Sequence, residues 1–204
     1  MDNHLCASWC WEQKINPAYQ YGIFHIDRHY DLFNNLNDAY LRTNHDRLTG
    51  TNFDDFNSLA NAAGIRYDNY IDAFYRLHPG LLTSAYYCTH HDGSDWHNMS
   101  LESISSDATD VKIYDLVDNV DYWIGKSKIE HWILNIDLDF FFQGQGEEGH
   151  YRFLTTHYVK RLCRAIKKVL DKIDVISIAL SPEFCNGWGP SFDVLHIFED
   201  ELCF

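Results

Sequence analysis

The chain has 204 residues and carries 30 Asp plus Glu against 16 Lys plus Arg, a formal charge of −14 at pH 7. That balance argues against a nucleic-acid or anionic-membrane partner, because both depend on cationic side chains meeting phosphates, and it suits a cationic substrate or metal ions. With 46% hydrophobic and 23% charged residues the composition is globular, and the length suits one domain, residues 1–204, with a substantial core.

The start, Met1-Asp2-Asn3-His4, has neither the basic nor the apolar region of a signal peptide. The longest aliphatic stretch, Val175 to Leu180, is far too short to cross a bilayer. Six scattered cysteines without a zinc-type pair read as reduced thiols, so a cytoplasmic location is expected. Beyond His4, a segment with Trp9 and Trp11 is compatible with a helix. Apolar runs bounded by turn residues predict strands at Tyr21 to Ile26, Ser84 to Thr89, Val111 to Leu116, Trp132 to Phe141 and Val175 to Leu180. Weaker helical patterns cover Asp31 to Arg42 and Asn69 to Leu77. The clearest helix is Thr155 to Ile173, where apolar residues recur at three- and four-residue spacing, and another is expected to start at Ser191 as its N-cap. Strands alternating with helices, the strands almost continuously apolar, predict an α/β fold with a mainly parallel sheet. In such sheets ligands bind beyond the carboxyl ends of the strands, so the residues just past each strand matter most.

After the first strand comes Asp27-Arg28-His29-Tyr30-Asp31, whose Asp27, His29 and Asp31 share one side of an extended chain. After the fourth comes Asp137-Leu138-Asp139, hemmed in by Trp132, Leu134 and three phenylalanines. Either string alone could be a solvated turn or a cap. Together they supply four carboxylates and an imidazole in apolar surroundings, where like charges repel and take up protons unless a cation holds them. Pro182 is expected to keep Ser181 extended, which leaves Glu183 at the same edge, followed by a turn eased by Gly187 and Gly189. His91, His90 and then His45 are the candidates for moving a proton, whereas His25 reads as a hydrogen-bonded core histidine. Gly144 to Gly149, with three glycines in six residues, could act as a lid.

Oxygen-rich ligands with some imidazole and no thiolate suit manganese or a similar divalent ion, and point to metal-assisted hydrolysis. A guanidinium is the cation that best fits Glu183. A single-metal deacetylase would leave several of these ligands unexplained, and a catalytically silent peptide-binding module would leave the whole set so.

Asp2 to His4 (DNH), His25 to Leu32 (HIDRHYDL), Asn135 to Phe141 (NIDLDFF) and Ser181 to Trp188 (SPEFCNGW) resemble, in order and across nearly the whole chain, the UPF0489 family. That family is related to the arginases and includes peptide arginases of ribosomal natural-product pathways. The resemblance implies a three-layer arginase-like α/β fold in a single compact domain, and two Mn²⁺ ions. It also implies hydrolysis of arginine side chains in a precursor peptide to ornithine, with release of urea. By the same resemblance His4 and Asp31 would bind one ion and His29 and Asp139 the other. Asp27 and Asp137 would bridge them, with Asp31 also accepting a hydrogen bond from the attacking hydroxide. Glu183 would orient the guanidinium, and His91 would serve as the proton shuttle, although no family motif maps onto it. No segment matches the loops that recognise the backbone of free arginine, which favours a peptide-borne side chain. Asn186 stands where the family often has glycine.

Overall fold

The computed structural model describes residues 4–33, 35–91, 108–144 and 149–203. Five parallel strands form one sheet: β1 (Tyr21–Ile26), β2 (Leu82–Cys88), β3 (Ala108–Asp110), β4 (His131–Asp137) and β7 (Ile173–Ala179), in the order β3-β2-β1-β4-β7. Two-residue strands β5 (Phe142–Gln143) and β6 (Tyr151–Arg152) make a separate antiparallel ribbon.

Alternation along the strands divides the core in two. Tyr21, Ile23, Ala85, Tyr87 and Ile133 join one cluster, covered by α1 (Leu5–Glu12), α2 (Asp38–Thr43), α3 (His45–Leu48), α4 (Phe53–Ala63) and α5 (Tyr70–Leu77). Phe24, Ile26, Trp132, Leu134 and Ile136 join the other, beneath α6 (Ile113–Lys126), α7 (Thr156–Lys167) and α8 (Trp188–Leu202). The architecture is therefore a three-layer α/β fold, as the alternating elements predict. The helices start where side chains meet the free backbone N–H groups: Asn37 accepts from Tyr40 N, Asn52 from Asp54 N and Asp55 N, and Thr155 from Tyr158 N.

The chain runs outward from β1 to β2 and β3, then returns to the other side of β1 as β4. The crevice between the carboxyl ends of β1 and β4 is thus the point where strand order reverses, the usual ligand site of an open α/β sheet.

Several sequence expectations are corrected. Val111 to Leu116 is not a strand: the sheet residues end at Asp110, and Leu116, Val117, Val120 and Ile124 form the buried stripe of α6. A short apolar run fits both periods, and here the helical one wins. The strand expected to reach Phe141 stops at Asp137, whose side chain accepts from Asp139 N and caps a 3₁₀ turn over Leu138–Phe141. The helix expected over Thr155 to Ile173 ends at Lys167; a 3₁₀ turn, Leu170–Lys172, then leads into β7, with Leu170 and Ile173 still packed on the core and so prolonging the apolar pattern. Within Asp31 to Arg42 the helix begins only at Asp38, after its Asn37 cap. α8 starts at Trp188, with Ser191 inside it donating to Gly187 O. Residues 145–148 of the proposed glycine lid lie outside the described residues. No helix among the described residues is long and apolar enough to cross a membrane.

Gly22 on β1 pairs with Trp132 on β4, and the indole packs over the bare glycine. A Cβ at Gly22 would stand 2.5 Å from Cζ3 of that buried indole. Gly22→Ala is expected to destabilise the protein by about 1–3 kcal/mol through overpacking, read as a lower urea midpoint; an unchanged midpoint would show that the indole can move aside.

Candidate metal centre

Below the crevice, two residues deeper along the strands than the ligands, a row of polar side chains crosses the sheet. His25, Asn135 and Ser177 are register neighbours on β1, β4 and β7. The Asn135 amide lies 2.8 Å from His25 Nδ1 and donates to the Tyr70 hydroxyl at 2.7 Å, while its oxygen accepts from Ser177 Oγ at 2.6 Å; Ser177 in turn accepts from Trp11 Nε1 at 3.0 Å. With Nδ1 accepting from Asn135, His25 carries its proton on Nε2 and donates it to His29 O at 3.0 Å. His25 is fully buried, and burial pushes its pKa down to about 4, so it is neutral, as expected of a core histidine.

Above this row the ligand-type residues converge. His4, on the turn before α1, places Nδ1 3.1 Å from Asp31 Oδ2, 3.2 Å from Asp27 Oδ2 and 3.5 Å from Asp137 Oδ2. His29 Nδ1 is 3.4 Å from both Asp27 Oδ1 and Asp139 Oδ2. Two groups able to hold an ion therefore share Asp27: His4 with Asp27 and Asp137, and Asp27 with His29 and Asp139; a third combines His25, Asp27 and Asp31. All four aspartates and His4 are buried, and His29 is half-buried.

Local hydrogen bonds aim these groups. Asp27 Oδ1 accepts from His29 N at 2.7 Å, Asp139 Oδ1 from Arg28 N at 3.2 Å, and Asp137 Oδ1 from Asp139 N at 3.0 Å. Asp137 Oδ2 accepts from Ser181 Oγ at 2.6 Å. Asp31 has a φ of +53°, a left-handed bend that an aspartate tolerates better than most residues, so Asp27, His29 and Asp31 do not lie on an extended strand as their spacing suggested. Ser181 is likewise bent, at φ +38°, rather than extended before Pro182, with its hydroxyl on Asp137 and its carbonyl accepting from Phe184 N. Asn186 takes φ +63° and supplies the left-handed geometry that a glycine would.

The electrostatics are those of a place for cations. Burial, then the charge of Asp139, pushes Asp137 well above the usual carboxylate range, and burial with the charge of Asp27 raises Asp139. Burial and the charge of Asp27 lift Asp31 to about 7. Against the pull of burial, hydrogen bonds to Asp139 and Asp27 carry His29 up to about 11, and Asp137, Asp27 and Asp31 raise His4. Asp27 alone falls, its bonds from His29 and His4 outweighing its burial. One of its oxygens, Oδ2, is buried without a well-formed hydrogen bond. A buried carboxylate oxygen without a well-formed hydrogen bond, a crowd of buried aspartates and two imidazoles fit divalent cations, and the oxygen-rich donor set fits manganese or a similar ion better than structural zinc.

The site forms the floor of a cavity of about 570 Å³, walled by Phe33, Tyr67, Asp68 and Phe184, with Glu183 among its lining residues. The protein resembles the crystal structure of Helicobacter pylori arginase, with a TM-score of 0.50 and 12% identity over 98% of this chain and 72% of that one. The fold is arginase-like. No family model and no curated protein matches the sequence.

In this arginase-like frame, His4, Asp27, His29, Asp31, Asp137 and Asp139 come together, and Glu183 lines the same cavity. The three candidate proton carriers are not among the lining residues. His91 Nδ1 lies 2.7 Å from the Tyr30 hydroxyl, and Tyr30 rather than His91 lines the cavity. His90 donates to Phe140 O at 2.9 Å, and His45 Nε2 to Leu77 O at 3.0 Å. Ser181 as a partner of Asp137, Asn135 as the hub of the row beneath, and Tyr67 and Asp68 as wall residues are not among the residues expected from the sequence. Asn135 could have been found from its even spacing with Asp137 and Asp139; Tyr67 and Asp68 lie in a loop that carries no signal.

Protons and metal compete here. An unfolded aspartate titrates near about 3.9, whereas Asp31 in the folded, metal-free protein titrates at about 7. Its contribution to stability is therefore complete at acid pH and is lost as pH rises through that value, and an ion has to displace the same proton. The rise in melting temperature on adding Mn²⁺ is expected to grow between about pH 5 and about pH 8; equal rises at both ends would contradict this protonation scheme.

Proposed function

We propose that the protein is a manganese-dependent peptide arginase, hydrolysing arginine side chains in a precursor peptide to ornithine and urea. The observation that carries the reading is the sharing of Asp27 by the His4 and His29 groups at the floor of a cavity that Glu183 lines. His4 and Asp31 would hold one ion, His29 and Asp139 the other, with Asp27 and Asp137 between them. When bound, such a pair lowers the pKa of water towards neutrality.

The chain's own residues do the rest. Asp31, which lines the cavity, accepts a hydrogen bond from the attacking water, whose proton leaves on the ornithine amine as the Cζ–Nε bond of the guanidinium breaks. Glu183 takes the planar guanidinium through charge-assisted hydrogen bonds and turns its carbon towards the floor. Phe33, Tyr67 and Phe184, all partly exposed, pack against the methylenes that carry the guanidinium. An apolar wall of this kind accommodates a side chain on a peptide without requiring contacts to a free amino acid's charged termini. The excess of acidic residues favours the approach of a cationic peptide.

Incubation of an arginine-containing peptide with the Mn²⁺-loaded protein is expected to remove CN₂H₂, about 42 Da, from each arginine processed by metal-assisted hydrolysis. Unchanged peptide masses in the presence of a fully loaded site would sink the proposal, and one zinc per chain with deacylase activity would favour an amide hydrolase instead. Glu183→Gln is expected to lower kcat/KM about a hundredfold with metal content unchanged, whereas Asp137→Asn is expected to lose metal and activity together.

A further inference from the structure

α8 begins five residues after Glu183 and carries Trp188, Phe192 and His196 at four-residue spacing. The Trp188 and Phe192 ring centroids are 5.8 Å apart and inclined by 26°, and those of Phe192 and His196 are 6.3 Å apart and inclined by 21°. Three nearly parallel rings thus form a ladder running roughly 12 Å along the helix, at about 1.5 Å per residue. This ladder is not core. The helix buries Ser191, Val194, Phe198 and Leu202, while Trp188 is 49% and Phe192 40% exposed.

The charges around the ladder restrict what can cover it. α8 contains Asp193, Glu199, Asp200 and Glu201 and no Lys or Arg. Glu201 is turned to α7, where it pairs with Arg164 and Lys160. Asp193 faces a shallow recess that also holds Arg152, and Asp200 is exposed. Glu199 continues the stripe of the rings, 4.0 Å from His196 Nε2. An acidic peptide would meet repulsion on this surface, and a purely apolar one would strand the carboxylates. A guanidinium suits both features, since it stacks on aromatic faces and donates to carboxylates.

We propose that the ladder is a docking track for a second arginine of the substrate peptide while a first occupies the cavity. This rests on the reading of the substrate as an arginine-bearing peptide and adds to it a preference for closely spaced arginines, set by Trp188, Phe192 and Glu199. Trp188 stands five residues after Glu183 in the chain, so an extended peptide reaches from one to the other within about five residues, at about 3.3 Å each.

The test uses fluorescein-labelled glycine–serine peptides with one arginine, or with two about four residues apart, on the Mn²⁺-loaded protein. Anisotropy is expected to show the two-arginine peptide binding about tenfold more tightly, the size of two exposed cation–π contacts. The double variant W188L/F192L, which keeps the apolar surface and removes the ring faces, should abolish that difference and leave the affinity and turnover of the one-arginine peptide unchanged. Glu199→Gln, which leaves the rings alone, should reduce the preference severalfold. An undiminished preference in both variants overturns the track, as does sedimentation showing that the wild-type chain self-associates through this face and the double variant does not. A ring-dependent preference without ornithine formation from either peptide would uphold the track while removing the proposed reaction.

Discussion

The structure is organised around one buried carboxylate. Asp27 is 1% exposed, and its two oxygens face different imidazoles, His4 on one side and His29 on the other. It can do so because β1 ends at Ile26, directly beside the end of β4, and because the turn before α1 brings His4 over the same crevice. Without a compensating charge such a group would cost several kcal/mol. Around it three more aspartates are packed, all driven towards protonation by burial and by a neighbouring carboxylate, Asp27 for Asp31 and Asp139, and Asp139 for Asp137. The arrangement suits a cation site whose ligands are held together at the ends of the sheet strands.

Holding like charges together requires a support that does not give way, and the polar row beneath the ligands provides it. Asn135 uses both of its N–H groups, on His25 and Tyr70, and its oxygen, on Ser177. Each bond contributes only about 1 kcal/mol net, but an unpaired member of a buried row would cost more than that. The row therefore has one satisfied arrangement. Through His25 it reaches the carbonyl of His29, so the backbone that carries a ligand is fixed from β7 across three strands. The flanking layers add rigidity through Trp11, Tyr70 and Phe74 on one side and Phe140 and Phe141 on the other.

The sheet and the ligand set were legible in the sequence for the same reason: buried parallel strands are written as apolar runs, and carboxylates at their ends interrupt those runs conspicuously. β1, β2, β4 and β7 lie where their runs lie, within a few residues. The failures have physical causes too. Val111 to Leu116 satisfies both a strand and a helix period, and only the neighbouring Val120 and Ile124 decide between them. α4 was missed although Asn52 and Gly64 cap it at either end, because its short apolar face, Phe56, Leu59, Ala60 and Ala63, is interrupted by polar residues. Asp27, His29 and Asp31 come together for a reason other than strand parity: the strand has already ended, and a left-handed Asp31 brings the third group round. No sequence signal joins His4 to residues far along the chain except the resemblance in motif order, and none marks the aromatic wall contributed by Phe33 and Tyr67.

Floor and rim obey different rules. The ligands sit on strand ends and tight caps, where burial holds each atom, whereas Glu183 and Phe184 sit on an exposed turn between β7 and α8. That turn is fixed by Phe184 N, Cys185 N and Gly187 N on the carbonyls of Ser181 and Pro182, by Cys185 buried in the core, and by the Phe184 ring edge-on to His29 with centroids 5.7 Å apart. Ser181 joins the two regimes, since its hydroxyl is bound to Asp137 at the floor and its carbonyl begins the turn that presents Glu183. A change at Ser181 therefore reaches both floor and rim, and one at Phe184 reaches the ring of His29. The net charge divides along the same line. Four aspartates at the floor are placed where metal ions would neutralise them, and the acids of α8 remain at the surface beside the exposed rings. In the proposed reaction the first group activates water and the second selects what arrives, and the turn from Ser181 to Gly187 is the short piece of chain through which one is aligned with the other.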